Sequence, residues 1–114
     1  MTASTRTVED IYPDLSWAIH RARVAEARGE RESAMAIQSD ISRMEEEVAA
    51  LLPADNMEGE TARRGVLRAA LVAMEHSRVL AMAAKYLAEE KLRPAVRREL
   101  ETIRDAAKAA EAKE

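Results

Sequence analysis

Two histidines and no cysteine set the limits on chemistry in this 114-residue chain. Without cysteine there is neither a disulfide nor a thiolate metal site. A di-metal helix bundle takes Glu-x-x-His from facing helices, but the residues three before His20 and His76 are Trp17 and Ala73. Glu75 and His76 are adjacent, so on a helix they point about 100° apart and cannot share an ion. No serine lies in a Gly-x-Ser-x-Gly elbow, and no glycine-rich phosphate loop occurs. Arg63, Arg64 and Arg68, or Arg93, Arg97 and Arg98, have the charge to hold an anion. Glu99 and Glu101 dilute the second group, and both groups read as solvated helix faces. The expectation is no catalytic residue, no metal and no cofactor.

One short segment points elsewhere. His20-Arg21-Ala22-Arg23-Val24 resembles the phosphorylated segment of phosphorelay histidine-phosphotransfer domains, with a basic residue three positions after the histidine. The resemblance covers four residues, and Val24 stands where that family has a glycine. It implies a helical bundle that carries a phosphoryl group on His20. A histidine-phosphotransfer-like or other small all-helical enzyme is therefore the alternative function.

Charged residues make up 34% of the chain, the formal net charge is −3, and both signs are mixed along every segment. Nucleic-acid binding wants a basic stripe, so no nucleic-acid partner is expected. Three glycines and three prolines are too few for the turns of a many-stranded β fold. Phenylalanine is absent, so the core must come from Ala, Leu, Ile, Val and Met. The length fits one domain, 1–114, with 1–7 and 113–114 frayed. The first ten residues hold no apolar run of the signal-peptide kind, and runs such as 69–74 and 79–84 are far too short to span a bilayer. The expected setting is the cytoplasm, away from membranes.

The stretch from Thr61 to Leu92 organises the rest. It lacks proline and is rich in helix formers, so it predicts one long helix. Arg64, Arg68, Glu75, Arg78, Lys85 and Glu89 fall on one side. Positions 70, 74, 77, 81, 84 and 88 (Ala, Met, Ser, Ala, Ala, Ala) form a seam of mostly small residues opposite, where a partner helix can approach closely. Upstream, Leu15, Ile19 and Ala22, then Ile37, Ile41, Met44, Val48 and Leu51, keep one apolar phase through Gly29. That continuity predicts a single helix over roughly 13–52, bent at Gly29, with a C-cap at Gly29 as the other option. Its later part has the spacing of a coiled-coil seam. Asp10 or Asp14 would cap its start, Pro53 would end it, and Asp55 with Glu58 would open the next helix as a capping box. Pro94 starts a last helix over 94–112, through Val96, Leu100, Ile103, Ala107 and Ala110.

The fold class is thus all-α: a long antiparallel helical hairpin plus a C-terminal helix. Helices of about 35–40 residues would make it a rod of about 50–60 Å. Such a hairpin leaves apolar rows open. Val72, Val79 and Tyr86, beside Leu71 and Met82, lie within or next to the polar stripe, and Trp17 and Val24 point away from the Leu15–Ala22 face. These seven residues are the candidate interface. Pairing of two chains into a four-helix bundle would cover the central row, and folding back of the last helix is the competing arrangement. The expected function is a non-catalytic interaction module, an adaptor or regulatory subunit. Its partners would be a second copy (a homodimer or higher oligomer) or another helical protein.

Overall fold

The computed structural model describes residues 6–113. Among them five helices follow one another with no strand: α1 (Val8–Ala27), α2 (Arg31–Leu51), α3 (Met57–Val72), α4 (His76–Leu87) and α5 (Pro94–Glu111). The bundle is all-α, as expected. α3 is central, packing on α2, α4 and α5, while α1 packs on α2 and α5 also packs on α4.

α1 begins five residues before the expected position 13. Thr7 is its N-cap: the Thr7 hydroxyl accepts the Asp10 N–H at 3.2 Å, and the Asp10 carboxylate accepts the Thr7 N–H at 3.0 Å. This is a capping box, and it holds residue 7, which was expected to fray. The Thr7 backbone bond, then its side-chain bond, holds the Asp10 carboxyl below its usual range. Ile11, wholly buried, ties the extra turn to the core. Of the ends expected to fray, residues 1–5 and 114 lie outside the described residues.

The expected helix over 13–52 is two helices. Gly29 has φ +72°, donates its N–H to Glu26 O at 3.1 Å, and is followed by a bond from Glu30 N–H to Ala25 O at 2.9 Å. These two bonds are the Schellman motif, which ends a helix through one left-handed residue. The apolar phase survives the glycine because each helix turns its own stripe to the other: Leu15, Ala18, Ala22 and Ala25 meet Ala34, Ile37 and Ile41. Phase alone cannot tell a continuing helix from two that fold together.

The helix expected over 61–92 is also two. α3 stops at Val72, Met74 takes φ 62°, and Glu75 N–H returns to Ala70 O at 2.9 Å. α4 then turns Val79, Met82, Ala83 and Tyr86 inward. α5 covers them with Val96, Leu100, Ile103 and Ala107. The small-residue seam therefore does not pack as expected. Ala70 is buried, but Met74, Ser77, Ala81, Ala84 and Ala88 are exposed. Burial stabilises in proportion to apolar area, and a face of Val, Met and Tyr removes far more from water than one of alanines.

The connections follow local chemistry. α2 ends at Leu51, just before Pro53. The cap of α3 is Asn56 and not Asp55, its side-chain oxygen accepting the N–H groups of Glu58 at 2.9 Å and Gly59 at 3.1 Å. A Cβ at Gly59 would lie 2.2 Å from the Pro53 carbonyl oxygen, so only hydrogen fits where this turn meets the loop. α4 ends at Leu87 and not at 92, and Pro94 opens α5 as expected. With helices of 12 to 21 residues, the molecule measures 38 × 35 × 28 Å and is no rod.

Candidate interaction surface

The charged groups that looked available in the sequence are largely occupied within the chain. Arg63, 4% exposed, donates from Nε and Nη2 to the Glu89 carboxylate at 2.7 and 2.8 Å. Its Nη1 donates to the carbonyls of Leu52 at 3.1 Å and Gly59 at 2.9 Å, and its guanidinium lies 5.3 Å from the centre of the Tyr86 ring. Arg93 donates twice to the buried Glu60 carboxylate, once at 2.9 Å, and that bond keeps the carboxyl below its ordinary pKa. Arg64 and Arg68 both reach Glu99, at 3.0 and 3.1 Å. Arg97 donates to the carbonyls of Leu87 and Glu89 at 2.8 and 3.2 Å, closing the end of α4. Arg78 links α4 to α2 through Ser42 at 3.1 Å and Glu46 at 2.8 Å, and the Ser42 hydroxyl donates to Val66 O at 2.8 Å. These arginines hold helices together. Among the described residues, no three side chains of metal-ligating type converge.

The seven interface candidates part into two groups. Val79, Met82 and Tyr86 are buried within the chain, and Leu71 is half-buried against the same core. α5 covers that row, the arrangement in which the last helix folds back. Trp17 and Val72 stay at the surface, 62% and 52% exposed, and Val24 is half-buried.

Two surfaces result, one on each flank of the α1–α2 turn. On the first, Trp17 stacks on His20 with ring centres 5.6 Å apart and planes at 28°. A groove of about 300 Å³ runs beside them between α1 and α2, lined by Arg21 and Val24 from α1, by Arg28 at its C-cap, and by Ser33 and Ile37 from α2. Arg21, Arg23 and Arg28 have no ion-pair partner among the described residues, unlike Arg63, Arg64 and Arg68 of α3 and Arg93 before α5. On the second flank, Val72 and the 58%-exposed Met74 meet Ala34 and Met35 across a cleft of about 270 Å³, rimmed by Glu26 and Arg31. Met35 and Met74 escape sequence reasoning because helical periodicity runs straight through both.

His20 is exposed, with Arg21 and Arg23 on the same helix. His76, at the start of α4, is buried at 8% exposure. No helix among the described residues is long and apolar enough to cross a membrane. Compared with protein-family models, curated proteins and solved structures, the chain has no match in any of the three.

Proposed function

We propose that this protein is a non-catalytic helical interaction module, an adaptor or regulatory subunit, that docks through apolar side chains on either flank of the α1–α2 turn. One observation carries the reading. Large apolar side chains stand outside while the charged ones are paired inside: Trp17, Val72 and Met74 are each more than half exposed, whereas Arg63 and Glu60 are almost wholly buried. A catalytic cleft adds a few convergent polar groups turned toward the substrate, whereas the buried charged groups here are turned toward one another. Tryptophan is the side chain most enriched where binding energy concentrates, and exposed methionine adapts to varied partner surfaces.

The test is capture of partners from native extract by the tagged protein, compared with Trp17→Ala and with a Val72→Asp/Met74→Asp pair. Loss of the captured protein in either variant, with helix content and unfolding midpoint unchanged, supports the module. Equal capture by all three would overturn it. The exposed His20 with its neighbouring arginines favours a second reading, phosphotransfer. Incubation with a small phosphodonor separates the two: acid-labile phosphate that disappears in His20→Gln would move the function to that histidine.

A further inference from the structure

A second periodic stripe runs along α1, and its C-terminal part lines the α1–α2 groove. Asp10, Asp14, Trp17, Arg21, Val24 and Arg28 follow one another at spacings of 4, 3, 4, 3 and 4, the rhythm of a helix-packing seam. The buried stripe, Ile11, Leu15, Ala18, Ala22 and Ala25, has the same rhythm about 100° away around the helix. All members of the outer stripe are exposed except the half-buried Val24. Its charges are sorted along the axis: acids at the N-terminal end, tryptophan in the middle, arginines at the C-terminal end.

We infer that this stripe is an interface between two copies of the chain, α1 lying antiparallel on α1 about a two-fold axis between Trp17 and Arg21. In that register Asp10 faces Arg28 of the second copy, and each Trp17 faces the other chain's Arg21. Indole is the best of the protein rings for a cation–π contact, and guanidinium is its more frequent cation. Asp14 faces Val24, within one turn of both arginines. The same stripe laid parallel would set acid on acid and arginine on arginine, so the charges select one orientation.

The acidic end has a third carboxylate. Arg6 donates to Asp14 at 3.0 Å and lies 3.8 Å from Glu47 of α2, which places Glu47 beside Asp14. Both Arg6 contacts are exposed pairs that yield readily to a new partner. At the other end Arg21 and Arg28 have no ion-pair partner of their own among the described residues, and Glu30 is the one acid lining the groove with them. A 20-residue helix is about 30 Å long and offers less than the roughly 800 Å² per partner of a standard interface, so the dimer is weak and concentration-dependent.

This inference rests on the interaction-module reading and names its first partner. Sedimentation equilibrium from micromolar to millimolar protein tests it, with three variants whose helix content is checked by circular dichroism. Trp17→Ala should raise the dimer dissociation constant by about 30-fold or more, the effect of losing a buried hot-spot tryptophan. Arg21→Glu should raise it about tenfold by placing like charges together. Asp14→Arg combined with Arg21→Glu exchanges the charges but leaves no guanidinium over Trp17, so it should recover association only partway, to a dissociation constant about threefold below that of Arg21→Glu alone. A wild-type protein that stays monomeric at millimolar concentration overturns the inference. So does a dimer indifferent to Trp17→Ala and Arg21→Glu, which would form through another face. Partner capture that depends on Trp17 in a strictly monomeric protein would retain the module and defeat only self-pairing.

Discussion

The chain reverses twice by the same hydrogen-bonding pattern, with opposite choices of residue. At Gly29 the left-handed position is held by glycine, and nothing lies within 4 Å of where its Cβ would be. At Met74 the same position is held by a methionine with φ 62°. A side chain there costs about 1–2 kcal/mol relative to the right-handed conformation. The first turn is thus locally favourable and would form between any two helices of suitable stripe. The second is locally unfavourable, and the packing of α4 on α3 and α5 must offset it. Val79, Ala83, Val96 and Leu100, each essentially inaccessible to solvent, supply that packing. The outcome places an exposed methionine at the mouth of the Val72 cleft. Non-glycine residues held in this region of conformational space concentrate at binding sites and switches.

The sharpest way to break the comparison is at the glycine. Gly29→Val should destabilise by about 2 kcal/mol or more, since a β-branched side chain is the worst fit to a positive φ. Urea unfolding measures it, and an unchanged midpoint would show that the turn can be rebuilt without a left-handed residue. The complementary change, Met74→Gly, should stabilise by about 1 kcal/mol in the same assay. A loss on Met74→Gly would mean that the methionine side chain holds the turn through its own contacts.

A third change probes the packing of α2 on α3. Glu45 of α2 lies against Gly65 of α3, its Oε2 at 2.2 Å from where a Cβ would stand. It has neither a hydrogen bond nor an ion pair among the described residues, and burial raises its pKa from 4.5 to about 7. A carboxyl raised in the folded state disfavours folding progressively as pH climbs from 4.5 to about 7, and the deficit then stays constant. Glu45→Gln should therefore gain about 1 kcal/mol at pH 8.5, allowing for partial solvent screening, and nothing at pH 4. Unfolding curves at the two pH values would decide it, and an equal effect at both would rule out ionisation as the cause.

The smallest effects are expected at two aromatic residues on opposite sides of the comparison. Tyr86, buried beside α5, has a hydroxyl with no hydrogen-bond partner among the described residues, so Tyr86→Phe should be neutral or slightly stabilising. Trp17→Ala, on the exposed stripe of α1, should change monomer stability by no more than about 0.5 kcal/mol. A large loss at Trp17 would place it in the fold and not in an interface.

The helical class of the chain, the end of α2 just before Pro53, the start of α5 at Pro94, and the buried faces of α1, α2 and α5 were legible from residue types and their 3–4 spacing. Those signals are local: proline removes a donor, and an apolar stripe must be covered whatever covers it. That Trp17 points away from the Leu15–Ala22 face was legible for the same reason, while its 62% exposure was decided by the fold. Tertiary structure alone decided where two apparently continuous helices fold. Gly29 was consistent with a bend or a break, and nothing marks Met74 as a turn until α4 gains more by burying Val79, Met82 and Tyr86 under α5 than the strained residue costs. That choice turned the alanine seam outward and drew the central row inside. Which arginines are occupied was likewise invisible in the chain, because Arg63 with Glu89 and Arg93 with Glu60 are pairs separated by 26 and 33 positions. Such pairings exist only once α3, α4 and α5 have met, and only then does it show that Arg21 and Arg23 of α1 have no ion-pair partner among the described residues.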